Sequence, residues 1–251
     1  MIRETPTIAP PASRQGISVV GRGLLARAFA VETKLPSGTI VFASGVSNSG
    51  TTDVAAFARE EVLLRSWLAS AAGIFVYFSS CGLATGDTAH SAYMAHKRNM
   101  EELVLGYPAG RVFRLPQVVG QTDNPHTLVN YLREHLLDGT PFEVWEHAER
   151  NIIGVDDVRD LVVAMLGEPA TDERIVNIAA LHSTPMAQLV RMMEDHLGRH
   201  GHYTLVPRGE PMPLDTAQVA RVARRLGLDL GPDYATRVIA RYCLPGDIRS
   251  S

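Results

Sequence analysis

The sequence predicts an α/β protein: a mainly parallel sheet with helices on both faces. Three observations carry this. Short apolar runs recur at residues 17–20, 39–43, 74–78 and 111–115. Segments of helical spacing separate them. A small polar or glycine cluster follows each run. Short apolar strands alternating with helices mean a parallel sheet buried on both sides. In such sheets ligands bind outside the carboxyl ends of the strands. The clusters at 21–23, 44–48, 79–81 and 116–120 all fall on that edge, which makes it the candidate site.

The elements follow in order. Residues 17–20 read as a strand, Gly21-Arg22-Gly23 as a tight turn, and residues 24–30 as a helix. Residues 39–43 (TIVFA) form a second strand, ending in the loop 44–52. Residues 53–72 form a long helix, with Phe57, Leu64, Trp67 and Leu68 at helical spacing and Thr52 or Asp53 as its cap. Residues 74–78 (IFVYF) are the third strand, with Ser79, Ser80, Cys81 and Gly82 at its end. A helix follows at 91–105, then a strand at 111–115 stopped by a turn with Pro116 and Gly120. Beyond lie a helix at 127–137 and a strand over Phe142–Trp145. A strand at 151–155 runs into a helix begun by Asp156 and Asp157, where carboxylates suit the helix dipole. A strand at 174–178 and helices over Met186–Leu197, residues 215–226 and Tyr234–Tyr242 complete the chain.

Composition narrows the function. The chain has 251 residues, enough for one or two domains with a sizeable core. Its net charge is −3, and the absence of a Lys/Arg-rich run argues against nucleic acid as a partner. No apolar stretch reaches the roughly 20 residues of a membrane span. Residues 1–15 carry three prolines and no apolar core, and read as a flexible tail rather than a signal peptide. Two cysteines, Cys81 and Cys243, make no disulfide framework, and no metal-ligand spacing occurs, so a reduced cytoplasm is the simplest compartment.

Two motifs carry chemistry. Gly21-x-Gly23-x-x-Ala26 lies between a strand and a helix, where glycines let the backbone approach a pyrophosphate and the helix N-terminus meets its charge. Arg22 adds a cation there. Tyr93 and Lys97 stand four apart, on one helix face. An ammonium beside a phenol favours the phenolate, so the pair can move a proton near neutral pH. Ser79 or Ser80, fourteen and thirteen residues earlier, can hold the reacting oxygen. His96 points off the Tyr/Lys face and is expected in solvent. His90, close before Tyr93, is a candidate lining residue.

These residues resemble the extended short-chain dehydrogenase/reductases, the NAD-dependent epimerase/dehydratase family. The likeness rests on VVGRGLLA at 19–26, IFVYFSSCG at 74–82, YMAHK at 93–97, RVFRLPQVVG at 111–120, RNIIGVDDVRDLV at 150–162 and RIVNIA at 174–179. It implies a Rossmann cofactor domain over 16–122, completed by 150–180, and a small mixed substrate-binding region over 123–149 and 181–251. It implies NAD or NADP held by Gly21, Arg22, Gly23, Leu24, Leu25, Ser44, Tyr93 and Lys97, with Arg22 tilting the choice toward NADP. It implies a nucleotide-linked sugar as substrate, reduced or epimerised at C4, with Arg150 on its phosphates. Tyr93 would be the acid/base, Lys97 its pKa-lowering neighbour, and Ser79 or Ser80 the oxygen ligand. A homodimer through helices 53–72 and 91–105 is a further implication. A finer likeness is to the GDP-L-fucose synthases, through Arg22-Gly23-x-x-Ala26, Ser79-Ser80-Cys81 and His126 before TLVNYLR. It implies an epimerising pair of Cys81 and His126, with His126 also against the substrate.

The sequence departs from the family in one place. Family members carry two more strand–helix units before the strand at 39–43; here about nine residues, 30–38, separate helix from strand. The residue that reads the adenosine ribose, expected about 20 positions past the glycines, has no counterpart, since Glu32 comes too early and falls in the helix. The expected sheet is therefore shortened on the adenosine side. The alternative reading is a Rossmann-fold pseudoenzyme or nucleotide-binding protein without redox chemistry.

Overall fold

A computed structural model describes residues 16–31, 34–85, 91–168 and 173–243. The tail at 1–15, Glu32 and His90 lie outside the described residues. The chain runs β1 (Ser18–Val20), α1 (Leu24–Ala30), β2 (Ile40–Phe42), α2 (Val54–Ala69), β3 (Phe75–Ser80), α3 (Ala92–Leu105), β4 (Gly110–Leu115) and β5 (Gln117–Val119). It continues α4 (Leu128–Asp138), β6 (Phe142–Trp145), β7 (Glu149–Arg150), β8 (Ile152–Gly154), α5 (Val155–Leu166), β9 (Ile175–Asn177), β10 (Thr184–Pro185), α6 (Met186–Leu197), β11 (Tyr203–Val206), α7 (Ala217–Leu226) and α8 (Tyr234–Tyr242).

The central sheet is wholly parallel in the order β1-β2-β3-β4-β9. Strand alternation sorts its side chains into two cores. Ile40, Phe42, Phe75, Tyr77 and Val112 face α2 and α3, where they meet Leu64, Met100 and Val104. Val41, Val76, Phe78 and Phe113 face the other way, into the larger core that holds Phe29 of α1 and Val158, Leu161 and Val162 of α5. Helices thus cover both faces, as the alternating pattern predicts, and β1 pairs with β2 alone among the described residues.

Several boundaries move. The third strand extends through Ser79 and Ser80, which pair with Arg114 and Leu115. The long helix ends at Ala69, three residues early, and Asp53 is its cap, accepting from Ala55 N–H and Ala56 N–H. Four short strands, β5, β7, β10 and β11, escape the sequence reading. They pair in two-stranded ribbons, β5 with β8, β7 with β10 and β6 with β11, beside the main sheet. Asp156 and Asp157 do begin a helix. The C-terminal helix latches onto them: Tyr234 Oη donates to Asp157 and accepts from Gly154 N–H at 2.9 Å, while Tyr242 Oη donates to Asp156 at 2.7 Å.

Candidate active site

Every main-sheet strand reaches its carboxyl end at one edge, and a cleft of roughly 750 Å³ opens there. Arg22, Ser44, Ser79, Tyr93, Lys97 and His126 all line it. Gly23, Leu24, Leu25 and Ser80 line it too, so most of the sequence-derived site converges on a single cavity.

The glycine turn is built for close approach. Gly21 has φ +125°, and a Cβ there would stand 2.4 Å from Ala43 O. Only glycine lets β1 and β2 run this close and still turn. Gly23 ends the turn as the N-cap of α1, with no side-chain cap and nothing within 4 Å of where its Cβ would point. The start of α1 lines the cleft through Gly23, Leu24 and Leu25, beside Arg22, which is exposed.

The two serines part company. Ser80 Oγ accepts from Gly82 N–H at 3.2 Å and caps the short 3₁₀ turn at Cys81–Leu83. Ser79 Oγ is buried on the cleft wall with no hydrogen-bond partner among the described residues. Buried hydroxyls are ordinarily paired, so Ser79 is the one poised for a ligand oxygen.

Tyr93 is 7 % exposed, and its hydroxyl makes no hydrogen bond to a described residue. Its partner on the next helical turn behaves differently from the sequence expectation. Lys97 does not reach the phenolic oxygen. Its Nζ lies 5.6 Å from the centre of the Tyr93 ring and donates to Tyr77 Oη at 2.9 Å and to Glu60 Oε1 at 3.1 Å. Burial, and then the Glu60 charge, push the Tyr93 phenol up. Burial likewise lowers Lys97, with Glu60 working against that drop.

Glu60 is the hub that the sequence reading missed. It is 3 % exposed and sits in α2. Besides Lys97 it accepts from Tyr77 Oη at 2.9 Å, Val46 N–H at 2.7 Å and His96 Nε2 at 3.1 Å. Burial alone would raise its pKa; the His96 hydrogen bond, the Lys97 charge and the Val46 N–H outweigh that and hold it at about 2. His96 is accordingly not in solvent. It is buried, stacked on Phe57 with ring centres 4.5 Å apart. A signal was present: Glu60 stands at helical spacing between Phe57 and Leu64, a carboxylate in an otherwise apolar stripe. Gly45 belongs to the same arrangement. A Cβ there would stand 2.9 Å from Lys97 Nζ, so glycine lets the loop cross over the ion pair.

The remaining candidates divide. His126 is exposed on the cleft rim, its N–H held by Asn124 Oδ1 at 3.0 Å. Cys81 is not on the cleft wall. It is fully buried, donates to Arg114 O at 3.3 Å, and burial pushes its thiol up to about 12. The structure thus does not bring Cys81 together with His126 in the cleft. Arg150 is half-buried on β7, donates to Glu149 O at 2.7 Å, and lies outside the residues that line the cleft.

The fold has close counterparts. The chain matches UDP-glucose 4-epimerase of Thermus thermophilus, solved with NAD, at 17 % identity and TM-score 0.66, over 89 % of this chain and 82 % of that one. RMD of Pseudomonas aeruginosa, solved with NADPH, matches at 16 % identity and TM-score 0.67, over 91 % and 98 %. UDP-N-acetylglucosamine 4-epimerase of Bacillus cereus matches at 13 % identity and TM-score 0.67, over 93 % and 100 %. No curated protein matches the sequence. The sequence model of the NAD dependent epimerase/dehydratase family matches residues 31–179. That span is more than half of the chain, so the protein belongs to the NAD dependent epimerase/dehydratase family, enzymes of the extended short-chain dehydrogenase/reductase type.

Proposed function

We propose that this chain is a nicotinamide-dependent oxidoreductase or epimerase acting on a nucleotide-linked sugar, at C4. The observation that carries the reading is the convergence of Ser79, Tyr93 and Lys97 on one cleft with the glycine turn. The similar structures bearing NAD or NADPH, and others bearing nucleotide sugars, support it.

The residues present fit part of such a cofactor. Gly23 and the open start of α1 form a cradle for a diphosphate, with Arg22 beside it. Arg22 tilts the preference toward NADP. Ser44 and Lys97 would hold the ribose on the nicotinamide side. The adenosine side is barer, because β1 is the edge of the sheet. When bound, the nicotinamide supplies the hydride exchanged with the sugar carbon. Ser79 Oγ binds the sugar oxygen. Tyr93, kept protonated by burial, gives its proton to that oxygen as negative charge develops on it. A protonated phenol suits carbonyl reduction better than alcohol oxidation. His126, on the rim, contacts the sugar or its nucleotide.

Titrating the purified protein with NADH and NADPH, followed by energy transfer from tryptophan, tests the reading. Saturable binding with micromolar Kd is expected, tighter for NADPH. A second reading, a Rossmann-fold pseudoenzyme or nucleotide-binding protein without redox chemistry, is favoured by the edge position of β1. Failure of both cofactors to bind a well-folded sample would select it. A homodimer through α2 and α3 belongs to the same proposal. Val54 and Val62 stand 76 % and 69 % exposed on α2. Sedimentation equilibrium is expected to give twice the chain mass, and a monomer mass would end that part.

A further inference from the structure

The Glu60 cluster lies behind the cleft, and none of the steps above uses Glu60, Tyr77 or His96. Yet Glu60 gathers groups from three other places in the chain. Oε1 takes Tyr77 of β3 and Lys97 of α3, and Oε2 takes His96 of α3 and the Val46 N–H of the loop after β2. Lys97 and Val46 both line the cleft. Among the described residues the other carboxylate acting on Lys97 and Tyr77 is Glu101, and it is already held by Arg114 at 2.7 Å. Glu61, next to Glu60, turns outward to Arg65 and Asn99. A fully buried carboxylate accepting four hydrogen bonds is rigid, and removing it leaves donors unmatched.

We propose that Glu60 is the positioning residue of this site: from beneath the floor it fixes Lys97 and the 44–48 loop against the cleft that Tyr93 lines. The proposal rests on the reading of Tyr93 and Lys97 as the proton-handling pair. Glu60 is not among the residues that line the cleft; it acts through Lys97. Its negative charge adds to burial in keeping Tyr93 a proton donor rather than a phenolate.

Two ligand-free measurements test this on the full chain. The first is the alkaline rise of tyrosinate absorbance, taken as the difference from Tyr93→Phe in the same background. Glu60→Gln removes the charge at nearly constant shape, and the onset of the Tyr93 signal is expected at lower pH than in the wild type. An onset at the wild-type pH overturns the proposal. The second is amine acetylation read by mass spectrometry. The chain has two lysines, Lys97 and the exposed Lys34, so Lys34 is an internal reference. Lys97 is expected to label about tenfold faster, relative to Lys34, in Glu60→Gln. Should that variant fail to fold, Glu60→Asp decides. It keeps the charge and draws it back by one methylene, and faster Lys97 labelling supports the anchor while wild-type labelling overturns it. Loss of NADH and NADPH binding by the wild type would sink the functional reading alone, since neither measurement needs a ligand.

Discussion

Tyr93→Phe is expected to lower kcat/KM by about 10²–10⁴-fold on whichever nucleotide sugar the wild type turns over. The protein should remain folded. The substitution removes one oxygen, and that oxygen makes no hydrogen bond to a described residue, so no pair among the described residues is lost. The ring keeps its burial and its place above Lys97. What disappears is the proton donor. Because burial holds the phenol above its ordinary value, the wild-type donor is loaded throughout the neutral range. The wild-type rate should therefore show no loss from Tyr93 between pH 6 and about 9, and the variant should be depressed evenly across it. Stopped-flow oxidation of reduced cofactor reads this directly. A wild-type rate in a folded Tyr93→Phe protein would remove Tyr93 from the chemistry.

The contrast between Tyr93 and Glu60 says what a sequence discloses. Ser79, Tyr93 and Lys97 are legible because local rules place them: a strand end, and two residues one helical turn apart. The glycine turn is legible because only glycine occupies its backbone angles. Glu60 is different. Its partners lie at positions 46, 77, 96 and 97 and meet only when α2 and α3 pack on the same face of the sheet. His96 misleads for the same reason. It stands one position from Lys97, off the Tyr/Lys stripe, yet the neighbouring helix buries that flank as well. Short ribbons such as β7 with β10 carry two residues each, too few for any period to show. Ser79 against Ser80 could not be settled from the chain alone. The choice turns on which hydroxyl a local turn consumes, and that turn takes Ser80.

Lys97→Met is expected to cost about 3–5 kcal/mol of stability at neutral pH, the scale for removing one partner of a buried ion pair. Methionine matches the lysine stem in volume, so the loss is electrostatic rather than a cavity effect. Lys97 is 2 % exposed and Glu60 3 %, so water cannot replace the lost ammonium. The pH dependence separates this cause from poor packing. In the wild type Glu60 is held at about 2, below its usual 4.5. Its stabilising share is therefore complete above about pH 4.5 and is lost as pH falls toward 2. In the variant the burial penalty faces only His96, Tyr77 and Val46, so the Glu60 carboxyl rises. The variant then has less of that share to lose as pH falls, while the wild type loses its own between about pH 4.5 and 2. The gap between the two proteins should be full above about pH 4.5 and narrow as pH falls toward 2 in urea unfolding. A gap that stays constant with pH would mean that the loss comes from packing at the substituted side chain, and that the charge of Glu60 is balanced by its other three donors alone.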